Sequence, residues 1–198
     1  MQTLRFSILG SVLATAAAAQ DRVYLNVTAL TPIDGESALQ CWQLPSPFSP
    51  SMPNVNNNNN SSSYGLPLGE TANATLFVVP AGSDAGLHHT EAAQWVIFIT
   101  GLAHVTLPRS SDQAWISGGK YGLLWAGDLA GASGQGHRTF YHEQTVGLIL
   151  PARHGREPEH SVVRQGACLP QDLLGLATLG EGEGGCVMRE DEYGFSRV

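Results

Sequence analysis

GSDAGLHHTEAAQWVIFITGLAHVTLP, residues 82–108, contains two adjacent histidines and the strongest strand signal in the chain. Its centre, residues 94–100, is too short for a buried helix and is rich in β-branched and aromatic side chains, which indicates a strand. Gly101 interrupts the apolar run, and residues 103–107 resume it as a second strand. Two strands joined by a tight glycine turn predict a β-hairpin with histidines near both ends, a suitable scaffold for a metal or a small polar ligand.

The rest of the chain is typical of an all-β domain. Short apolar runs at residues 76–79, 114–120, 121–125 and 145–150 are separated by glycine and proline. Strands with turn residues at intervals of about 8–12 residues indicate a β-sandwich or β-barrel. A 3.6-residue apolar period is found only in the tail, where residues 170–179 predict one short helix before an irregular end.

Changes in composition divide the chain into residues 1–20, 21–75, 76–152 and 153–198. The first segment combines Arg5, an apolar stretch and small residues, which is typical of a secretory signal peptide. The second contains N-terminal strands and an Asn-, Ser- and Pro-rich loop, predicted to be a surface insertion with a lid as the alternative. The third is the predicted barrel core and the fourth is the tail. We expect a secreted, extracellular protein with no membrane span, because the apolar stretch is shorter than about 20 residues.

Two further features agree with export. Acceptor sequons for N-glycosylation follow the predicted cleavage site at Asn26, Asn59, Asn60 and Asn73. The chain has three cysteines, and at least two of them are expected to pair in an oxidising compartment. The sequence leaves open whether Cys168 pairs with Cys186 or Cys41 pairs with either of them.

The charge balance argues against some classes of partner. The 198 residues include 17 acidic and 10 basic side chains, which give a net charge of −7, and no basic run is found. Nucleic acids and anionic membrane surfaces are bound through clustered Lys and Arg. We therefore expect neither as a partner.

The order of glycines and histidines resembles the first motif of the cupin family, G-x5-H-x-H-x(3,4)-E-x6-G. Gly82, His88 and Gly101 fall in register with this motif. Thr90 stands where the second histidine belongs, and Gln94 stands where the glutamate belongs. The resemblance extends over roughly residues 76–150. Residues 94–108 also resemble the core of small secreted cupin-like proteins of fungi. The resemblance implies a jelly-roll β-barrel.

The family's second motif, G-x5-P-x-G-x2-H-x3-N, is matched in part. Gly134 and His137 fit, whereas Ala132 replaces the proline and Tyr141 replaces the asparagine. In the first motif, a shift of one residue would instead place His89 at the second histidine. The resemblance is therefore more specific for the fold than for a function.

Metal-binding cupins hold iron, manganese, nickel, copper or zinc with three histidines and one glutamate inside the barrel. The resemblance implies that His88, Gln94 and His137 are metal ligands, with His89 as a rival or an addition. An amide in place of the carboxylate is a neutral and weaker donor, which shifts the preference towards Cu, Ni or Zn. A metal-free pocket is the alternative.

Two further residues are candidates for catalysis. His104 is expected to face the barrel interior by strand parity, where it would act as a general base or support the ligands, although a core histidine is the simpler interpretation. Glu91 lies before the expected glutamate position, in the segment that leads into the strand, and could move a proton.

Three hypotheses for function follow. The first is a metal-dependent oxidoreductase or dioxygenase that acts on a small organic molecule. The second is a metal-free cupin that binds a small molecule or steers an isomerisation or cyclisation. The third is a secreted structural or effector-like protein without activity. The resemblance implies a small-molecule partner and allows a homodimer.

Overall fold

A computed structural model describes residues 22–50, 63–173 and 175–179 and shows an all-β protein. The predicted signal peptide, the sequons at Asn59 and Asn60, and Cys186 lie outside the described residues. Within the described ranges, no helix is long and apolar enough to cross a membrane.

Short strands make up most of the described chain. They are β1 Tyr24–Ile33, β2 Glu36–Pro47, β3 Ser49–Pro50, β4 Tyr64–Gly65, β5 Thr75–Val79, β6 Ser83–His88, β7 Gln94–Thr100, β8 Leu102–Thr106, β9 Gln113–Ser117, β10 Leu123–Ala126, β11 His137–Tyr141, β12 Thr145–Pro151 and β13 Ser161–Gln165. The predicted tail helix is a 3-10 turn at Pro170–Leu173 followed by the four-residue helix α1, Gly175–Thr178. Another 3-10 turn is found at Arg153–Gly155.

The strands form two main sheets and one small pair. The larger sheet has the order β13-β2-β1-β10-β7-β12-β5, the smaller one has the order β6-β11-β8-β9, and β3 pairs with β4. β1 runs parallel to β10, and the other pairs are antiparallel. The described strands form separate sheets and do not close into a barrel.

The predicted hairpin between β7 and β8 was wrong. β7 pairs with β10 and β12 in the larger sheet, whereas β8 pairs with β9 and β11 in the smaller one. Gly101 joins them with a φ of +89°, and a Cβ there would stand 2.7 Å from the carbonyl oxygen of Gln144. The glycine is therefore needed at a corner between two sheets, because only glycine has room and conformational freedom there.

The larger sheet is buried on both faces. The first cluster, here called the inner core, lies between the two sheets and includes Leu30, Val96, Phe98, Val105, Ile116 and Ala126. The second, here called the outer core, lies on the other face and includes Val27, Ala29, Trp42, Leu44, Trp95 and Trp125. Neighbours along a strand, such as Trp95 and Val96, belong to opposite cores because strand side chains alternate between faces.

The N-terminal strands are part of this same core. β1 contributes Leu30 and β2 contributes Leu39 to the inner core. A disulfide joins Cys41 of β2 to Cys168, across 127 residues of sequence, and decides between the pairings that the sequence left open. It links the second strand of the sheet to the segment that follows β13.

The two described sequons differ in their surroundings. The Asn26 side-chain nitrogen, Nδ2, donates a hydrogen bond to the Asp172 carbonyl oxygen at 2.6 Å, and its oxygen accepts one from Gln43. Asn73 is exposed. Glycan attachment needs a free side-chain nitrogen, so Asn73 has the better access of the two.

Candidate functional site

His88 and His137 are side by side on neighbouring strands of the smaller sheet. His88 ends β6, His137 begins β11, and the two are register partners with ring centroids 4.2 Å apart. His137 is 7% exposed, and Thr139, which follows it on the same face, pairs with Val105 of the inner core. The histidine pair therefore faces the space between the sheets, at one end of the inner core.

A glycine brings these two strands close together. Gly136 has a φ of +72°, and a Cβ there would stand 2.6 Å from the carbonyl carbon of His88. Any side chain would collide with this backbone, so glycine is required immediately before His137. The Gly-rich turn that precedes His137 in the sequence thus positions the imidazole. β6 itself was not predicted, because Ser83–His88 has few apolar residues.

The Asp128 carboxylate contacts the Nδ1 side of the His137 ring. It is fully buried and accepts hydrogen bonds from His137 Nδ1 at 2.7 Å, Ser37 Oγ at 2.8 Å and Thr90 Oγ1 at 2.5 Å. Burial acts to raise the pKa of the Asp128 carboxyl, but the bonds from His137, Thr90 and Ser37 outweigh it and hold the pKa below its ordinary value. The group is therefore a buried carboxylate at neutral pH.

Sequence reasoning missed Asp128, although a signal was present. An acidic residue follows a glycine directly after the apolar run of β10. A carboxylate placed at the end of a buried strand needs several donors. The chain supplies them from Ser37 and Thr90, which are 91 and 38 residues away in sequence.

Hydrogen bonds determine the proton positions on both rings. His88 Nδ1 lies 3.0 Å from the Gly86 carbonyl oxygen, and His137 Nδ1 lies 2.7 Å from the Asp128 carboxylate. Both partners only accept, so Nδ1 is the donor in each ring. In the neutral imidazoles, Nε2 therefore carries the lone pair and is available for a metal or a proton.

Gln94 is placed towards the same end of the inner core from the other sheet. It is the first residue of β7 and the register partner of Ala126, which belongs to the inner core and lies two residues before Asp128. Alternation with Val96 also puts Gln94 on the inner face. The structure thus places His88 and His137 on the smaller sheet and Gln94 on the facing side of the larger sheet, towards the same end of the inner core.

His89 and Glu91 lie apart from this pair. His89 Nε2 is 2.9 Å from the Ser133 carbonyl oxygen, and Ser133 Oγ donates to the backbone oxygen of Asp128. His89 therefore supports the loop behind the pair. Glu91 is exposed in the bend between β6 and β7.

His104 is on the outer side of the smaller sheet, not on the interior side that we expected. Its neighbours Ala103 and Val105 are in the inner core, so His104 faces the opposite way. Its Nε2 is 2.6 Å from Gln113 Oε1, and its ring stacks on Trp115 with centroids 3.9 Å apart. It is thus separated from the histidine pair by the sheet.

Among the described residues, no three His, Cys, Asp or Glu side chains are grouped so that they could hold a metal ion. The candidate donors towards this end of the inner core are the two imidazoles of His88 and His137, which lie side by side, and the Gln94 amide on the facing sheet. This set fits a metal that prefers nitrogen ligands better than one that needs carboxylates.

Comparisons of the chain with protein-family models, curated proteins and solved structures gave no match. What the protein can do must therefore be inferred from the contacts of its own side chains.

Proposed function

We propose that this chain is a secreted jelly-roll protein of the cupin type whose His88–His137 pair binds a transition metal and acts as an oxidoreductase on a small organic molecule. The two packed β-sheets and the motif residues at one end of the inner core support this proposal. Export is supported by the Cys41–Cys168 disulfide, because such bonds persist in oxidising compartments.

One observation carries the metal proposal. Both rings use Nδ1 for a hydrogen bond, to the Asp128 carboxylate and to the Gly86 carbonyl, and both keep Nε2 free. Metal-binding histidines characteristically donate their second ring nitrogen to a carboxylate or backbone carbonyl, which fixes the tautomer and raises ligand basicity. His88 and His137 have this arrangement.

The roles of the residues follow from this geometry. His88 and His137 would hold the metal through Nε2, with the Gln94 oxygen as the candidate third ligand. Asp128 keeps His137 oriented and supplies a compensating negative charge. The chemistry that a bound metal supplies is electron transfer and polarisation of substrate oxygens. Because zinc has no redox chemistry, the oxidoreductase proposal favours copper within the Cu, Ni and Zn group.

Metal content tests the proposal. Untagged protein secreted by its natural route should contain close to one transition metal per chain, and His88→Ala and His137→Ala should each lose it. His104→Ala is the matched control, because it removes a histidine from the other side of the same sheet and should leave the metal in place. Absence of metal after incubation with Fe, Mn, Cu, Ni and Zn in turn would rule out the metal-dependent function.

A metal-free function is the second candidate, and the buried Asp128–His137 hydrogen bond favours it. A carboxylate behind an imidazole orients the ring for general-base catalysis. His137 Nε2 would take a proton from a carbon next to a carbonyl group, the first step of many isomerisations. In metal-depleted protein in D2O, we expect faster proton–deuterium exchange in some members of a panel of enolisable carbonyl compounds. Exchange no faster than in His137→Ala would contradict this candidate. Failure of both tests would leave the non-enzymatic hypothesis.

A further inference from the structure

A cavity of about 460 Å³ lies on the outer-core side of the larger sheet. Its floor is formed by Leu44, Trp95 and Trp125, and its walls come from residues 45–46, 66–70, 152–154 and 156–159. Trp95 belongs to the outer core and Val96 to the inner core. The cavity and the histidine pair are therefore on opposite faces of the larger sheet.

The floor and walls of the cavity are tied together by hydrogen bonds. Trp95 Nε1 donates to the Leu68 carbonyl oxygen at 2.9 Å, and the Trp95 ring packs edge-to-face on Trp125 with centroids 5.0 Å apart. The backbone nitrogen of Arg153 donates to the Glu70 carbonyl oxygen at 2.9 Å, which joins the two walls. Their side chains form an ion pair at 3.8 Å. The cavity is thus largely preformed, as ligand sites usually are.

The rim carries charges of both signs that no Arg, Lys, Asp or Glu of the described chain pairs with. Glu157 lies 3.7 Å from the His160 ring. Arg156 and Glu159 also line the cavity, and both are exposed. Neither of these two has an ion-pair partner within the described part of the chain. A guanidinium and a carboxylate are therefore available to a ligand, three positions apart on one segment.

We propose that this cavity binds a small zwitterionic molecule with an apolar body, such as an aromatic amino acid or a short apolar peptide. The apolar body would lie against the partly exposed Leu66, Leu68 and Pro158, above the buried Trp95 and Trp125. The ligand carboxylate would pair with Arg156, whose planar guanidinium matches a carboxylate in two parallel hydrogen bonds. The ligand ammonium would pair with Glu159. The volume lies within the range of about 300–1,000 Å³ that is typical of small-molecule sites.

The charge pattern decides between ligand classes. A purely anionic ligand would be attracted by Arg156 but repelled by the carboxylate of Glu159. A purely cationic ligand would be attracted by Glu159 but repelled by Arg156. A neutral apolar molecule would use the floor and leave both rim charges without a partner. Only a ligand with both charges satisfies both.

Calorimetry with four compounds that share one ring system tests this proposal, namely tryptophan, indole-3-acetate, tryptamine and indole. We expect full-length protein to bind tryptophan about fivefold more tightly than tryptamine or indole-3-acetate, the scale of one partly exposed ion pair, and about 25-fold more tightly than indole, which lacks both charges. Arg156→Gln should reduce tryptophan affinity to that of tryptamine, and Glu159→Gln should reduce it to that of indole-3-acetate. Lys120→Gln, a change of charge outside the cavity, is the matched control and should change nothing.

Further variants locate the binding. Ser46→Trp fills the cavity from an exposed wall position and should abolish binding of all four compounds. His88→Ala should bind tryptophan like the wild type, so this test is independent of the metal proposal. The proposal is overturned if indole binds as tightly as tryptophan, if both rim variants bind like the wild type, or if no compound binds at millimolar concentration.

Discussion

Trp95 and Trp125 are neighbours in the outer core that differ in one hydrogen bond. Both are 1% exposed, and their rings touch. Trp95 Nε1 donates to the Leu68 carbonyl oxygen, whereas Trp125 Nε1 is buried with no partner, alone in this among the described side chains. A buried donor without a partner loses its hydrogen bond to water on folding and gains no other, which lowers stability.

This difference predicts unequal effects of the same substitution. Trp95→Phe loses packing volume and a hydrogen bond, and leaves the Leu68 carbonyl unsatisfied. Trp125→Phe loses similar volume but also removes an unsatisfied donor. We expect Trp95→Phe to lower the free energy of unfolding by about 1–2 kcal/mol more than Trp125→Phe does. Urea unfolding measures both, and equal losses would contradict the assignment of the two indole nitrogens.

Asp128 gives the second prediction at this scale. Its pKa is lowered in the folded state, so its contribution to stability is fully present at neutral pH and is lost as the pH falls through the folded pKa. Asp128→Asn should cost about 3 kcal/mol at pH 7, since it replaces a buried carboxylate that accepts three hydrogen bonds with an amide that has only one acceptor oxygen. The difference from wild type should shrink as the pH falls below about 4, where Asp128 of the unfolded chain takes up a proton that the folded carboxylate still excludes.

Asp84→Asn is the control for this experiment. Asp84 pairs with Arg138 on the exposed side of the smaller sheet, and hydrogen bonds from Arg138 and Gly86 lower the pKa of Asp84 to about 2. Water screens this pair, so its loss should matter far less at pH 7. If both variants were equally unstable, burial of Asp128 would not be the cause.

Part of the candidate site could be predicted from the sequence. His88, Gln94 and His137 stand at motif spacings, and the fold places them towards the same end of the inner core, on two facing sheets. Asp128 was missed because its partners Ser37 and Thr90 are distant in sequence, so no local pattern shows that they lie beside it. The orientation of His104 was mistaken because parity tells which residues of a strand share a face, not which face is inward.

Gly101 shows what the sequence leaves open about the pairing of strands. Gly101 between two apolar runs is compatible with a hairpin turn and with a corner between sheets. The choice depends on tertiary pairing, because β7 finds β10 and β12 while β8 finds β9 and β11. The run from 94 to 100 was correctly identified as a strand, since its bounds coincide with β7.

Gly136 allows a test of strand approach. Gly136→Ala places a Cβ against the His88 carbonyl and imposes a positive φ on alanine. We expect a loss of about 2 kcal/mol or more in the free energy of unfolding, because both the strain and the collision must be relieved. The histidine pair should also be displaced, which would weaken the binding of the proposed metal.

The same turn supplies the control. A Cβ at Gly131 would meet no atom within 4 Å, and its φ is not in the left-handed region. Gly131→Ala should therefore be neutral or slightly stabilising. A Gly136→Ala variant as stable as Gly131→Ala would mean that β6 and β11 are not as close as described.

At the scale of the whole molecule, one sheet separates two candidate sites. β10 carries Trp125 to the outer core and Ala126 to the inner core, and it ends two residues before Asp128. A strand buried on both faces reads as a continuous apolar run, so the sequence identifies it as a strand. It does not tell which loops cover the second face, and the cavity over Trp95 and Trp125 was therefore not foreseen.

The disulfide is the longest-range covalent constraint on this arrangement. Cys41 is in β2, and Cys168 follows β13, the strand that pairs with β2 at the edge of the larger sheet. Closing a loop across 127 residues restricts the unfolded chain, and native disulfides of this kind stabilise by about 2–5 kcal/mol. We expect Cys168→Ser to lower the free energy of unfolding by this amount, measured by guanidinium unfolding without reductant.

Cys186→Ser is the matched control and should leave stability unchanged, because the third cysteine takes no part in the Cys41–Cys168 bond. Peptide mapping without reduction should recover residues 41 and 168 in one linked pair. The denatured, unreduced protein should react with one equivalent of thiol reagent per chain. A Cys168–Cys186 peptide, or an equal loss of stability in both variants, would contradict the pairing. It would also remove the covalent tie between β2 and the segment after β13.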